Sequence, residues 1–164
     1  MISFEKLRSI TKDLKTFGLT EKNASEILKC IDSAQTYLRS QFGHKISLES
    51  HTASHCALFS VSDPTDPTLK HICSVPHNES CESCDLMVNI VQALEGVIYV
   101  AKGNDMGTEA YNEFLFDLRE AHKKIWAYKC QILRAYVQSR FWDDLMSRKE
   151  EDVVFITLDY AMKW

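Results

Sequence analysis

The chain has 164 residues, 45% of them hydrophobic and 26% charged, and its formal net charge is −4. A chain of this length can bury a hydrophobic core without disulfide bonds. It contains only 5 Gly and 3 Pro, which argues against a turn-rich β-sandwich, and its apolar fraction argues against a disordered chain. We therefore expect a mainly helical protein.

The charge is distributed unevenly along the chain. Residues 1–55 and 119–164 each carry a net +2, whereas residues 56–118 carry −8 and contain four of the six cysteines. Glu5 and Lys6 interrupt the apolar run that a signal peptide needs, and no later run approaches the ~20 residues of a membrane span. We expect an intracellular protein, nuclear or cytoplasmic, with no membrane partner. In such a reducing compartment, clustered cysteines favour metal binding over disulfides.

Residues 1–43 contain two apolar stripes with three- and four-residue spacing. The first stripe ends at Gly18, and the second follows Thr20, a helix-capping residue, and ends before Gly43. This pattern predicts a helical hairpin whose stripes pack in a core. The stripe residues are Phe4, Leu7, Ile10, Leu14 and Phe17, then Ile27, Leu28, Ile31, Ala34, Leu38 and Phe42.

Helical spacing is absent from residues 44–83, a stretch too long for an ordinary loop. Cys73, His77, Cys81 and Cys84 place four zinc-type ligands within twelve residues of sequence. The helix expected after Cys84 stabilises thiolates through the free N–H groups at its start. We predict that residues 44–103 form a zinc-binding segment followed by a helix. Four protein ligands leave no open position, so the zinc is expected to be structural.

The same residues allow other interpretations. Cys56, His55 and His71 are alternative ligands, because each lies within range of the same site. The Cys-x2-Cys pair is also compatible with a redox dithiol, although no strand of the thioredoxin type precedes it, and with ordinary buried cysteines.

A long helix is predicted over residues 108–150, where apolar residues alternate at four- and three-residue spacing from Tyr111 to Tyr136. It contains the chain's one concentrated basic stretch, which is either a solvated helix face or a contact surface for nucleic-acid phosphates. The basic residues are Arg119, Lys123, Lys124, Lys129, Arg134 and Arg140.

Residues 151–164 contain a short apolar, β-branched run at 153–158, which predicts a strand. Asp159 follows at the carboxyl end of that run. From the residues alone, a carboxylate in this position is more often a turn or cap residue than a functional one.

Four segments occur in order along the chain: HCALFSVSDP at 55–64, the Cys/His cluster at 73–84, IWAYKCQILR at 125–134 and LDYAMK at 158–163. In this order and rough spacing, the sequence resembles a group of mobile-element-derived, transposase-like proteins of animal genomes. The resemblance implies that Asp159 ends the first strand of a ribonuclease-H-like core. Such cores use several carboxylates to hold two divalent metal ions.

The sequence departs from that family in two ways. Tyr160 stands where the family has Trp, and the chain stops at Trp164, before the further strands and carboxylates of such a core. We therefore expect the chain to be the N-terminal part of a larger element protein, without nuclease activity by itself.

Together these patterns predict a mainly α fold: a helical bundle with an inserted Cys/His zinc-binding loop and a lone C-terminal β-strand, the first strand of a truncated core. The leading functional hypothesis is a zinc-ordered module that contacts DNA through residues 119–140. The alternative is a zinc-stabilised module that binds a protein partner or self-associates, which the −8 middle block favours. An enzyme acting through Asp159 ranks last.

Overall fold

Residues 2–61, 73–103 and 106–147 are described by a computed structural model, and they are mainly helical, as the composition predicted. Two 3-10 turns, Leu14–Phe17 and Ala53–His55, accompany the helices. No strand occurs within the described ranges, and the predicted strand at 153–158 and Asp159 lie outside them. The helices are α1 (Ile2–Asp13), α2 (Glu21–Ser40), α3 (Phe42–Lys45), α4 (Ala57–Val61), α5 (Glu82–Gly103) and α6 (Thr108–Ser147).

The connection between α1 and α2 follows from local backbone chemistry. The 3-10 turn after α1 ends at Gly18, whose φ of 97° lies in the left-handed region that favours glycine. Thr20 then caps α2, because its hydroxyl accepts a hydrogen bond from the Asn23 N–H at 3.3 Å. Both boundaries lie where the sequence placed them.

Helices α1, α2, α5 and α6 form a four-helix bundle in which α1 and α5 each pack on both α2 and α6. Short connections join α1 to α2 and α5 to α6, so each of these pairs runs antiparallel. Tyr37 near the end of α2 lies beside Cys84 at the start of α5, which makes that pair antiparallel too. The apolar stripes meet in the centre. The large apolar side chains that these helices and the turn after α1 bury almost completely are Phe4, Leu7, Ile10, Leu14, Ile31, Leu94, Ile98, Leu118 and Ile125.

Helix α6 is much longer than the helices it packs on. Its 40 residues span about 60 Å and the 22 residues of α5 about 33 Å, at 1.5 Å per residue. In the described part of α6, no residue after Leu133 is buried. Phe141, Trp142 and Met146 are exposed large apolar side chains in this last part. The final turns of α6 therefore add nothing to the core.

Helix α5 requires one correction to the sequence analysis. By length and composition alone it is long and apolar enough to cross a membrane, contrary to the expectation that no segment approaches such a span. This is weak evidence, because a core helix of a soluble protein passes the same test. Here α5 buries Ile90, Leu94 and Ile98 in the bundle, as a core helix does. The absence of a membrane partner stays a prediction.

Residues 46–61 and 73–81 lie against the end of the bundle where α2 finishes and α5 begins. Sparse backbone hydrogen bonds join them: the Ala57 N–H donates to Ser47 O at 2.9 Å, and the Glu79 N–H donates to His51 O at 3.2 Å. Among their described residues the buried apolar side chains are few, namely Ile46, Cys56 and Ala57. Apolar burial is therefore a small part of what can hold this segment in place.

Candidate metal centre

Six Cys and His residues of the segment and the start of α5 form two groups of three, and each group is compatible with a bound metal ion. The first, the His55 group, contains His55, Cys81 and Cys84; the second, the Cys56 group, contains Cys56, Cys73 and His77. Within each group, one ligand atom from each residue lies within 4.8 Å of the ligand atoms of the other two. Residues 55 and 56 are consecutive, so the chain passes directly from one group to the other.

The His55 group is built by two local structures. The 3-10 turn Ala53–His55 carries the histidine, Cys81 directly precedes α5, and Cys84 lies in its first turn. The Cys84 N–H donates to Cys81 O at 2.8 Å, which closes the tight turn of the Cys-x2-Cys pair. His55 Nε2 then lies 3.4 Å from Cys84 Sγ. The sequence predicted this use of the Cys-x2-Cys pair and named His55 only as an alternative ligand.

A tyrosine that the sequence analysis did not consider completes the surroundings of the His55 group. The Tyr37 hydroxyl lies 2.9 Å from His55 Nε2, 3.3 Å from Cys84 Sγ and 3.6 Å from Cys81 Sγ. Tyr37 belongs to α2 and is only 4% exposed. The hydroxyl therefore contacts every member of the group from inside the bundle.

The electrostatics of the His55 group suit a ligand set. Burial lowers the pKa of His55, and the nearby Lys129 and Lys45 lower it further, so the imidazole is neutral and has a lone pair to offer. Burial raises the pKa of the Cys81 thiol, but hydrogen bonds from Tyr37 and from N–H groups at the start of α5 outweigh it and lower the pKa overall. Burial, and then the neighbouring Cys84 and Cys81 sulfurs, raise the pKa of Tyr37 far above its usual range.

Contacts among neighbouring side chains also bring the members of the Cys56 group together. Cys73 Sγ lies 3.4 Å from Cys56 Sγ and 3.7 Å from His77 Nε2. The Phe59 N–H donates to Cys56 Sγ at 3.4 Å, and the Phe59 ring lies 4.3 Å from the His77 ring, centroid to centroid. A hydrogen bond from the Val75 N–H lowers the pKa of Cys73, but desolvation and the neighbouring Cys56 thiol raise it overall.

This arrangement differs from the predicted ligand set. The sequence placed Cys73, His77, Cys81 and Cys84 around one zinc, whereas the structure divides them between the two groups. The physical reason lies at residues 55 and 56. The turn ends at His55 and Cys56 takes an extended backbone (φ −84°, ψ 112°), so the two side chains leave the chain in different directions. His71, the remaining alternative, lies outside the described residues.

The basic residues of α6 are not all available to a partner. Arg119, Lys123, Lys124, Arg134 and Arg140 are exposed on the helix surface. Arg119 and Lys123 also make long ion pairs of 3.9 Å with neighbouring carboxylates.

Lys129 departs from the predicted nucleic-acid set because it is only 8% exposed. Its ammonium lies 5.1 Å from the Phe42 ring centroid and 5.2 Å from that of Trp126, so aromatic faces surround the charge. The predicted exposed basic face therefore contains five residues of the original six.

No family model matches the chain, and neither curated proteins nor solved structures yield a match. The resemblance to mobile-element-derived proteins therefore stays a prediction from the sequence segments themselves.

Proposed function

We propose that the chain is a zinc-stabilised helical module in which two zinc ions fasten the Cys/His segment to the four-helix bundle. The observation that carries this proposal is the division of six Cys and His residues into two groups of three. Thiolate and imidazole donors are the set that zinc prefers in proteins. Both groups lie where apolar burial is sparse, so a structural role for the metal follows.

The measured spacing of the donors supports this choice of metal. Around a tetrahedral zinc, neighbouring donors are separated by about 3.3–3.8 Å, since zinc binds N, O and S donors at roughly 2.0–2.3 Å. Three of the six donor–donor distances in the groups are 3.4 Å for Cys84 Sγ to His55 Nε2, 3.4 Å for Cys56 Sγ to Cys73 Sγ, and 3.7 Å for Cys73 Sγ to His77 Nε2, and the remaining three are at most 4.8 Å. The first three fit that range.

Zinc stoichiometry tests the proposal. Native mass spectrometry of the full chain should show two zinc ions, one for each group. Cys84→Ser and Cys73→Ser should each remove one of them, whereas Cys130→Ser, a free cysteine on α6 outside both groups, should remove neither. A chain purified without zinc that binds none on titration contradicts the proposal. Loss of all zinc from either ligand variant contradicts the division into two sites.

We further propose that this module contacts DNA through the exposed basic face of α6. Phe116 and Trp126 are 66% and 54% exposed on the same helix, and aromatic rings among basic residues suit contact with phosphates and bases. The sequence resemblance to transposase-like proteins supports the same function. The chain is proposed to be non-catalytic by itself, so a metal-dependent nuclease assay on it should show no cleavage that Asp159→Ala abolishes.

Charge-reversal variants test DNA contact. Binding of labelled duplex DNA should weaken steeply with added salt, and Lys123→Glu with Lys124→Glu should weaken it by at least tenfold and reduce the salt slope. The matched control is Lys22→Glu with Lys29→Glu, the same change of charge on exposed positions of α2. Equal weakening by the two pairs contradicts a specific α6 surface.

A protein-interaction module is the second candidate, and one observation favours it. Phe141, Trp142 and Met146 expose 61%, 42% and 53% of their surface near the end of α6, which is a feature of partner-binding surfaces. Absence of salt-dependent DNA binding, together with concentration-dependent self-association in sedimentation experiments, selects this candidate.

A further inference from the structure

We propose that Tyr37 is the fourth donor of the His55 group, so that one metal ion is held by a phenolate, an imidazole and two thiolates. This inference rests on the proposed zinc function and names the complete ligand set of that site. It assigns to a core residue of α2 a role that none of its sequence neighbours indicates.

The geometry carries the assignment. A fourth donor of a tetrahedral site must lie about 3.3–3.8 Å from each of the other three, given zinc–donor distances of roughly 2.0–2.3 Å. The Tyr37 hydroxyl oxygen lies 3.3 and 3.6 Å from the sulfurs of Cys84 and Cys81, within that range. Its distance to His55 Nε2 is shorter, 2.9 Å, and has to lengthen by about 0.4 Å when a metal ion enters. The oxygen therefore lies near the fourth vertex with respect to both sulfurs.

Hydrogen bonding also accounts for these contacts in the metal-free chain, because a phenol donates one proton and its oxygen accepts hydrogen bonds from thiol or imidazole groups. The two roles differ in the state of the phenol: a hydrogen-bonding tyrosine keeps its proton, whereas a metal ligand loses it. A tyrosine that only supported one thiolate would leave the fourth metal position to water. Water has access from an open cleft beside the group, lined by Lys45, Thr52 and Glu79 among others, so this alternative is a definite outcome of the test.

The surroundings hold the tyrosine in position. Its ring meets Phe42 edge to face at 5.9 Å, and the Lys45 ammonium lies 5.3 Å from its centroid. Because Tyr37 belongs to α2 and Cys84 to α5, the metal would join two bundle helices and the His55 turn through one centre.

The binding step balances as a proton exchange. Zinc displaces the phenol proton of Tyr37 and the thiol protons of both cysteines to solvent, and forms bonds to the oxygen, the two sulfurs and His55 Nε2. Without a metal ion, burial and the neighbouring sulfurs raise the pKa of Tyr37 and keep the phenol protonated. A divalent cation is the largest local charge in such a site and favours the deprotonated form of each donor.

Ultraviolet difference spectroscopy tests the inference. Zinc is added to the metal-free full chain, and the tyrosinate absorption band is recorded together with the zinc stoichiometry. We expect a band equivalent to one tyrosinate per chain in the wild type. Tyr37→Phe should abolish it, and Tyr136→Phe, a partly buried tyrosine on α6, should retain it.

Zinc stoichiometry and the tyrosinate band distinguish failure of zinc binding from failure of the role proposed for Tyr37. Failure of the wild type to bind zinc contradicts the proposed function itself. Two bound zinc ions without a tyrosinate band overturn the role of Tyr37 and leave the zinc function standing. The wild-type measurement decides this even where Tyr37→Phe does not fold. Weaker zinc affinity in Tyr37→Phe is expected, about tenfold or more, but a hydrogen-bonding residue has a similar effect, so the band is decisive.

Discussion

The bundle and the Cys/His segment of this chain are stabilised by different physics. The bundle buries large apolar side chains from four helices, such as Phe4, Ile31 and Leu118, each at 0% exposure. Within residues 46–61 and 73–81, the buried residues instead include Thr52 and His55, at 8% and 7% exposure. Burial of apolar area scales with the surface removed from water, and the segment removes little of it. Hydrogen bonds and the proposed metal–ligand bonds must therefore supply most of its order.

The two regions meet at the His55 ring. His55 lies 5.9 Å from the ring of Phe42, centroid to centroid, and its Nε2 lies beside the Tyr37 hydroxyl. Tyr37 belongs to α2 of the bundle, and Phe42 begins the short helix α3 that follows it. Loss of bound metal ions should therefore disorder the segment, while the bundle keeps its own core.

Metal removal should have the largest effect. In the chelated protein, amide hydrogens of residues 46–61 and 73–81 should exchange at nearly the rate of an unfolded chain, because the bonds that order them are gone. Amides of α5 and α6 around Leu94 and Leu118 should keep their protection. Hydrogen exchange with mass spectrometry, before and after chelation, measures both regions in one experiment.

Two results would contradict the idea that metal ions order the segment but not the bundle. Unchanged exchange in the segment after complete zinc loss means that the segment is held by ordinary packing. Collapse of protection throughout α5 and α6 means that the bundle itself depends on the metal.

The helices were predictable from the sequence because their signals are local. Gly18 adopts the left-handed conformation that ends a helix, Thr20 supplies a capping oxygen, and α6 begins at Thr108, where the periodic spacing resumes. The two short elements in the segment, Ala53–His55 and Ala57–Val61, were not predicted. They are too short to show a periodic pattern.

The candidate ligands were predictable as a set, but their grouping was not. Residue type and spacing identified all six members, whereas membership of each group depends on how the chain folds back on α2 and α5. Tyr37 was missed because it lies beside the apolar stripe of α2, three residues after Ala34, and no neighbouring Cys or His marks it. The burial of Lys129 was not predictable, because charge alone does not show that its ammonium lies beside the rings of Phe42 and Trp126.

A core truncation in the bundle should have the next largest effect. Leu94→Ala removes a side chain with 0% exposure and should lower the free energy of unfolding by about 3 kcal/mol, through lost burial and the cavity that remains. Urea denaturation measures this change. Leu48→Ala, in the segment and 40% exposed, is the matched control and should cost less than about 1 kcal/mol.

The zinc content of Leu94→Ala tests whether bundle packing and metal binding are independent. Leu94→Ala should keep its full zinc stoichiometry at temperatures where it remains folded, because Leu94 belongs to neither metal group. Zinc loss from the folded variant would show that bundle packing and metal binding are coupled.

The smallest expected effects come from two glycines of the bundle that have opposite backbone requirements. Gly18 has a φ of +97°, whereas Gly96 lies inside α5, and a Cβ atom added at either position meets nothing within 4 Å. Gly18→Ala should lower the free energy of unfolding by about 1 kcal/mol, because a side chain disfavours the left-handed conformation. Gly96→Ala should raise it by roughly 0.5–1 kcal/mol, because alanine loses less backbone entropy in a helix. Thermal unfolding of both variants measures the pair of opposite shifts. Since neither glycine belongs to a Cys/His group, hydrogen exchange in the segment should be unchanged. A changed exchange rate there would show that the backbone of the bundle also sets the order of the Cys/His segment.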